Sequence, residues 1–258
     1  DFIGAARPSI ADPFLPNKIR DGLIDDIREC IGCNICVTGD MTMSISRCTQ
    51  NPSFMEEWRK GWHPENFQIK GDSSSILIVG SGPAGLEATR VLAKRGYEVT
   101  LAEKCSFLGG RVSYERNLPG LSAWGRVADY RINQINKLKN VNIYLESEIT
   151  KKDILEFDFE HICIATGSKW KSDGVGRVNL HPIQIDKAMN IFTPDDLLNK
   201  NNESDEFKKT SPKLSDNPDS ISNKKDTNIN DNSTIVIKNN TSGISVKTFR
   251  EFVDLFFS

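Results

Sequence analysis

The sequence predicts an α/β fold, with a doubly wound domain that follows a cysteine-rich segment and precedes a polar tail. Apolar strands alternate with amphipathic helices between residues 73 and 198. Four of the six cysteines lie between residues 30 and 48. From about residue 199 to 232 the chain is rich in Asn, Ser, Lys and Asp, and too few large apolar residues remain to offset the entropy of ordering. These changes divide the chain into residues 1–28, 29–72, 73–198 and 199–258, the last expected to be a low-complexity, disordered tail.

Each element of the doubly wound domain follows from a local pattern. The apolar run at 76–79 precedes a glycine-rich turn and a helical pattern through Leu86 and Leu92, which predicts a strand, a turn and a helix. Further strands are predicted at 97–102, 142–145 and 162–165. One side of a second helix carries Val127, Tyr130, Ile135 and Leu138. Alternating strands and helices indicate a parallel sheet. Within the tail, 234–238 resembles a strand and 249–257 a helix.

Charge and hydropathy exclude several classes of partner. The 33 basic residues nearly balance the 35 acidic ones, so we expect no binding to nucleic acid or to an anionic membrane surface. No run approaches the ~20 apolar residues of a membrane span, and the first residues show no basic region followed by an apolar run. We therefore expect a cytoplasmic protein. Because the sequence begins at Asp1 without a methionine, we also expect it to be part of a longer protein.

The cysteine cluster has the spacing of an iron–sulfur site. Cys30, Cys33 and Cys36 are three residues apart, and Cys48 follows after eleven intervening residues. A tight loop can direct three sulfurs at one face of a [4Fe-4S] cubane while a remote thiolate binds the fourth iron. Structural zinc is an alternative, although its ligands usually come as two separated pairs. Unligated buried thiols are a third interpretation. A ligand set of this kind favours a reducing compartment over disulfides.

A dinucleotide-binding fingerprint follows the first strand. Gly80, Gly82 and Gly85 form a G-x-G-x-x-G pattern between a predicted strand and helix, with Pro83 and Ala84 inside it. The first glycine would make the tight turn, the second would let the backbone approach a pyrophosphate, and the third would let helix and strand pack closely. The phosphates would lie at the helix N-terminus.

Three further positions extend this fingerprint. Glu103 closes the second strand eighteen residues beyond Gly85, where a carboxylate can accept hydrogen bonds from both hydroxyls of an adenosine ribose. Gly110 and Arg111 belong to a second glycine motif typical of flavoproteins, and Gly167 ends a third, Ala-Thr-Gly. Together the motifs favour FAD or an ADP moiety over NAD, although ordinary turns would also explain the last two.

The cysteine spacing, the segment Gly-Trp-His-Pro-Glu at 61–65 and the Gly80 fingerprint together resemble the trimethylamine dehydrogenase family. The resemblance covers residues 1 to about 198. It implies that residues 1–28 are the end of an FMN-binding (β/α)8 barrel, with the last barrel strand and its loop at 4–8. Arg7 would then contact the FMN phosphate. Catalytic residues and the substrate pocket would lie in the rest of the barrel, outside this chain.

The resemblance also implies an activity and partners. A small amine such as trimethylamine would be oxidised by FMN, and electrons would pass through the cluster to an electron-transferring flavoprotein. The protein would be a homodimer, and the chain alone would be inactive. The alternatives are a stand-alone electron-transfer module, a fragment of an enoate or dienoyl-CoA reductase, and a non-functional remnant.

Overall fold

The computed structural model describes residues 3–69, 74–176, 179–184 and 191–196, and the backbone of two strands further on. Short helices dominate the part before the sheet. They are α1 (Ala6–Ala11), α2 (Leu15–Arg20), a 3-10 turn (Ile24–Asp26), α3 (Ile35–Met41) and α4 (Glu57–Lys60). Loops that carry the cysteines connect them, so this part of the chain is held together by side-chain contacts more than by regular structure.

The first described residues lead into a helix, and the barrel end that the resemblance implies stays a prediction. Gly4 and Ala5 lead directly into helix α1, so no strand forms at 4–8. A strand needs a neighbour to satisfy its backbone groups, and the described residues up to 69 contain no strand at all. The buried carboxylate of Asp12 anchors this region instead, because it accepts hydrogen bonds from Lys18 Nζ at 2.7 Å and from the backbone N–H of Arg28 at 2.8 Å.

A four-stranded parallel sheet forms the centre of the second part. Its strands are β1 (Ser75–Val79), β2 (Glu98–Ala102), β3 (Val141–Tyr144) and β4 (His161–Ile164), in the order β3-β2-β1-β4. Every neighbouring pair is parallel. The predicted parallel α/β sheet is therefore confirmed, with strand boundaries within one residue of the prediction.

Helices cover both faces of this sheet. They are α5 (Pro83–Lys94), α6 (Val112–Glu115), a 3-10 turn (Ser122–Gly125), α7 (Arg126–Asn136) and α8 (Lys151–Glu156). Ile76 and Ile78 pack with residues of α5 and α7, whereas Leu77 and Val79 pack on the opposite face, near Ile154 of α8. The alternation within β1 thus buries both faces, as a parallel sheet requires. The cysteine segment joins the first core through Ile31.

The polar tail lies largely outside the described residues. Strand β5 (Thr234–Lys238), which the sequence predicts, pairs antiparallel with β6 (Ile244–Thr248). The low-complexity run at 199–232 and the helix-like end at 249–257 are not among the residues that the structure describes. In the described part of the chain, no helix has the length and apolar character needed to cross a bilayer.

Candidate cluster and dinucleotide sites

The four clustered cysteines line a single small cavity next to helix α1. Its wall includes all four predicted ligands: Cys30, Cys33, Cys36 and Cys48. Gly32 and Asn34 adopt left-handed conformations with φ of 69° and 58°, which fold the loop back between successive cysteines. Helix α3 begins at Ile35, so Cys36 lies in its first turn.

Backbone N–H groups surround the sulfur of Cys48. Those of Gln50 and Asn51 both donate to Cys48 Sγ at 3.4 Å. Burial raises the pKa of this thiol, and the two N–H donors offset only part of the rise. A bound metal would reverse the balance, because a coordinated thiol loses its proton outright. The role of Cys48 as a cluster ligand stays a prediction.

Two more sulfurs have hydrogen-bonding neighbours of the same kind. The N–H of Gly32 donates to Cys30 Sγ at 3.4 Å, and the Thr49 hydroxyl lies 3.1 Å from Cys33 Sγ. Donors that point at sulfur are the environment in which iron–sulfur clusters are held and their potentials set. All six cysteines of the chain are free of disulfide bonds.

The arrangement of the thiols differs from that of a site for one metal ion. A single zinc ion would hold every sulfur about 2.3 Å from its centre. Among the described residues, no three Cys, His, Asp or Glu side chains converge in this way. Four thiols that line one cavity are the donor set that a [4Fe-4S] cubane takes, and the cluster itself stays a prediction from the spacing.

Arg7 lies beside the cysteine cavity. Its side chain donates a hydrogen bond to the Asn34 side chain, and it contributes to the wall of the cavity. The residue is exposed on helix α1. Its contact with an FMN phosphate stays a prediction, while the observed contact ties the first helix to the loop between the cysteines.

The glycine fingerprint forms the expected turn between β1 and α5. Gly80 has φ of 101°, and a Cβ there would lie 2.5 Å from the Ala165 carbonyl oxygen. A Cβ on Gly85 would lie 1.9 Å from the Gly80 carbonyl oxygen. Gly82, by contrast, faces open space and is the N-cap of α5, where no side chain bonds the first N–H groups. Pro83 and Ala84 start the helix, whose exposed N-terminus can bind a phosphate.

The structure brings the three glycine motifs together. The N–H of Gly109 donates to the Ser81 carbonyl at 3.0 Å. A Cβ on Gly110 would come within 3.0 Å of Gly82 Cα, and Gly167 follows the Ala165 backbone that packs against Gly80. Gly110 and Gly167 both have positive φ. One surface at the carboxyl edge of the sheet therefore carries all three, which is where doubly wound proteins bind ligands.

Glu103 lies at the end of β2 and is only 6% exposed. Its carboxylate accepts three hydrogen bonds, from the N–H of Ser81 at 2.8 Å, the Ser81 hydroxyl at 2.6 Å and the N–H of Cys105 at 2.9 Å. Burial alone raises the pKa of this carboxyl, but these donors outweigh burial and lower it. A carboxylate has about four acceptor positions, so room remains for about one ribose hydroxyl rather than the expected two.

Arg111 pairs with Asp195, at 2.6 Å between Nη2 and Oδ1. The other oxygen of Asp195 accepts the backbone N–H of Trp170 at 2.8 Å. This contact connects the second glycine motif with the segment after the third. The predicted role of Arg111 in binding a cofactor stays a prediction, and the observed contact is a structural one.

Sequence reasoning missed a buried ionic network between helices α5 and α7. Glu87 on α5 accepts from Arg90 Nη2 at 2.6 Å and lies 2.8 Å from Arg131 Nε on α7. Burial alone raises the pKa of Glu87, but Arg90 and Arg131 outweigh burial and hold it well below its ordinary value. Arginine is seldom buried, and nothing in the local pattern marks these residues.

A parallel sheet with three glycine motifs at its carboxyl edge, next to a four-cysteine cavity, defines an iron–sulfur flavoprotein type of architecture. Comparison with known families agrees. Residues 78–145 match the model of the NAD(P)-binding Rossmann-like domain.

Three relatives place the chain more closely. Dimethylamine dehydrogenase of Hyphomicrobium sp. (strain x) is 46% identical over 203 residues, covering 76% of this chain and 28% of the relative. The structure of histamine dehydrogenase from Rhizobium sp. 4-9 is 67% identical, with a TM-score of 0.72 over 76% of this chain and 28% of that one. Cinnamate reductase of Clostridium sporogenes is 32% identical, covering 77% of this chain and 28% of the relative.

The chain belongs to the family of iron–sulfur flavoprotein oxidoreductases that includes trimethylamine and dimethylamine dehydrogenases. It spans 28% of the length of these relatives.

Proposed function

We propose that this chain is the electron-transfer and nucleotide-binding part of an amine dehydrogenase, and that it holds a [4Fe-4S] cluster through Cys30, Cys33, Cys36 and Cys48. The observation that carries this proposal is the single cavity lined by all four thiols. The cluster supplies one-electron transfer, which a flavin that oxidises an amine by two electrons needs in order to reach a one-electron acceptor.

The residues of the chain then have distinct tasks. The four thiolates bind the irons, and the N–H groups of Gln50 and Asn51 stabilise the charge on the Cys48 sulfur. Helix α3 and the left-handed Asn34 keep the three close ligands in one loop. The protein environment excludes water from one side of the cavity, since Ile31 and Gln50 are buried.

The nucleotide site is proposed to take the ADP portion of a ligand, either ADP itself or FAD. The pyrophosphate would lie on Gly82 and the N-terminus of α5, and one ribose hydroxyl would donate to Glu103. ADP is common to FAD and NAD, so the family model for NAD(P)-binding domains is compatible with this proposal.

The substrate, acceptor and assembly are proposals from the relatives. Relatives named for dimethylamine and histamine share 46% and 67% identity with this chain, which favours a small amine as the substrate. We propose that the complete enzyme oxidises it on FMN in a barrel, with Arg7 near the FMN phosphate. Electrons would leave to an electron-transferring flavoprotein, and the enzyme would be a homodimer.

A reductase is the second candidate, because cinnamate reductase is 32% identical to this chain. The lower identity ranks it behind the amine dehydrogenases. Binding separates the two: a reductase fed by NADH requires the dinucleotide site to bind NADH, whereas the amine dehydrogenase proposal requires only ADP or FAD. Calorimetric titration of the chain with each nucleotide would distinguish them.

The test of the cluster is chemical analysis of the anaerobically purified chain. We expect about four irons and four acid-labile sulfides per chain, with the broad visible absorption of a cubane. Zinc in place of iron, or a folded chain without metal, would overturn the electron-transfer role. Activity is not needed for this measurement, so it can be made on the 258-residue chain itself.

A further inference from the structure

Arg131 is buried between the dinucleotide domain and the cysteine segment, with 4% of its surface exposed. Glu87 lies 2.8 Å from its Nε, and Nη1 donates to the Val127 carbonyl at 2.9 Å. These two contacts hold the guanidinium group between helices α5 and α7. Its other N–H groups are directed at the cysteine segment. The fork geometry of arginine suits such a shared contact, whereas lysine offers a single point charge.

The remaining donors reach the residue next but one to Cys48 in sequence. Arg131 Nη1 lies 3.3 Å from Gln50 Oε1, and Nη2 lies 3.4 Å from the Gln50 carbonyl oxygen. Gln50 is 1% exposed, and its own N–H donates to Cys48 Sγ. A hydrogen-bonded path thus runs from a fixed positive charge through one buried glutamine to the fourth thiol.

A second arginine acts on the next residue of the same loop. Arg28 Nη1 donates to Asn51 Oδ1 at 3.4 Å, and the Asn51 N–H donates to Cys48 Sγ. Buried charge is costly unless it is paired. The network places Arg131 and Arg28 behind one cysteine. Glu87 pairs with Arg131 but is shared with Arg90, and Glu65 lies 3.8 Å from Arg28 Nη2. Positive charge in a low-dielectric interior stabilises a neighbouring centre when it gains an electron.

We propose that Arg131 is a positioning residue for the fourth cluster ligand. It holds the loop at 48–51 through Gln50, keeps the two N–H donors on the Cys48 sulfur, and its charge raises the reduction potential of the cluster. This inference rests on the proposed function, because it presumes that the four thiols bind a [4Fe-4S] cluster.

The test compares three variants of the 258-residue chain loaded with its cluster. Arg131→Gln removes both fork and charge, while Arg131→Lys keeps the charge. The matched control is Arg116→Gln, which makes the same chemical change in a pair with Asp129 that does not touch the cysteine loop. The readouts are iron content and the midpoint potential from an anaerobic titration followed by electron paramagnetic resonance.

For Arg131→Gln we expect the ratio of reduced to oxidised cluster at a fixed potential to fall about tenfold, or about 59 mV for one electron. The same ratio should fall by less in Arg131→Lys, and in Arg116→Gln it should equal that of the parent. A midpoint potential of Arg131→Gln equal to that of the control overturns the proposal. If Arg131→Gln does not fold, iron release from Arg131→Lys to a chelator decides, since a parent-like rate overturns the positioning role.

Failure of the proposed function looks different. In that case the parent chain itself takes up no iron and sulfide, and the inference falls with the function. A parent with four irons and an unshifted Arg131→Gln potential overturns the inference alone.

Discussion

Replacing Gly85 by alanine tests whether close packing of helix α5 on β1 determines the stability of the dinucleotide domain. A Cβ at this position would lie 1.9 Å from the Gly80 carbonyl oxygen and 3.4 Å from the Ala165 Cβ. Carbon atoms in contact normally lie about 3.5–4.0 Å apart. The obstructing oxygen belongs to the backbone of a turn whose Gly80 N–H is bonded to Ala102, so α5 must move instead.

The loss of unfolding free energy in Gly85→Ala can be estimated from the known cost of overpacking. Extra methyl groups in packed interiors cost about 1–3 kcal/mol. Because the obstacle here is backbone, we expect the upper end, about 3 kcal/mol. For a domain of this size, that loss lowers the melting temperature by roughly 6–12 °C. Nucleotide binding should also weaken, since the moved helix carries the phosphate site at its N-terminus.

Gly82→Ala is the matched control, because nothing lies within 4 Å of a Cβ there. Its φ of −63° and ψ of 178° suit alanine, and the change at a helix N-cap costs roughly 1 kcal/mol or less. We expect nearly parental unfolding but weak ADP binding, since the methyl group occupies the path of the pyrophosphate. Circular dichroism melts and calorimetric ADP titrations measure both. A Gly85→Ala chain that melts within about 2 °C of the parent would refute the packing argument.

Three other predictions concern single side chains. The pKa of Glu87 is lower in the folded chain than its ordinary value of 4.5. The Glu87 carboxylate therefore stabilises the fold above that pH, and this contribution is lost as the pH falls. Urea unfolding should show Glu87→Gln less stable than the parent near pH 7, and the difference in unfolding free energy should shrink below about pH 4.5. Cys48→Ser should lose iron in metal analysis, whereas Cys163→Ala, in the buried core, should keep the iron and lose about 1 kcal/mol of stability. Glu103→Gln should raise the dissociation constant for ADP about tenfold in calorimetry. An amide has only one acceptor oxygen, so it cannot satisfy the three protein donors and also accept a ribose hydroxyl. An unchanged constant would contradict the proposed role of Glu103 in binding the ribose.

The sequence determined the features that depend on neighbouring residues. The apolar run at 76–79, the glycine fingerprint and the helix after it lie within about twenty residues, and each follows from backbone sterics and hydrophobic periodicity. The spacing of the cysteines likewise restricts them to one loop and one remote ligand. The short helices α6 and α8 were not predicted, because they are too brief to show a hydrophobic period. Thr150 and Asp153 form a capping box, which is a local signal for the start of α8.

Only the tertiary structure decided which distant residues meet. It packs Gly80 against Ala165 and Gly110 against Gly82, and so unites three motifs, two of which could in sequence have been ordinary turns. It also buries Arg131 against Gln50, 81 residues away in sequence. From its residue type alone, an arginine side chain is expected to be exposed. Such contacts depend on how the helices pack on the sheet and on the pairing of buried charges, which no local pattern encodes. The cysteine spacing could therefore be read from the chain, while the charges behind the fourth cysteine required the folded molecule.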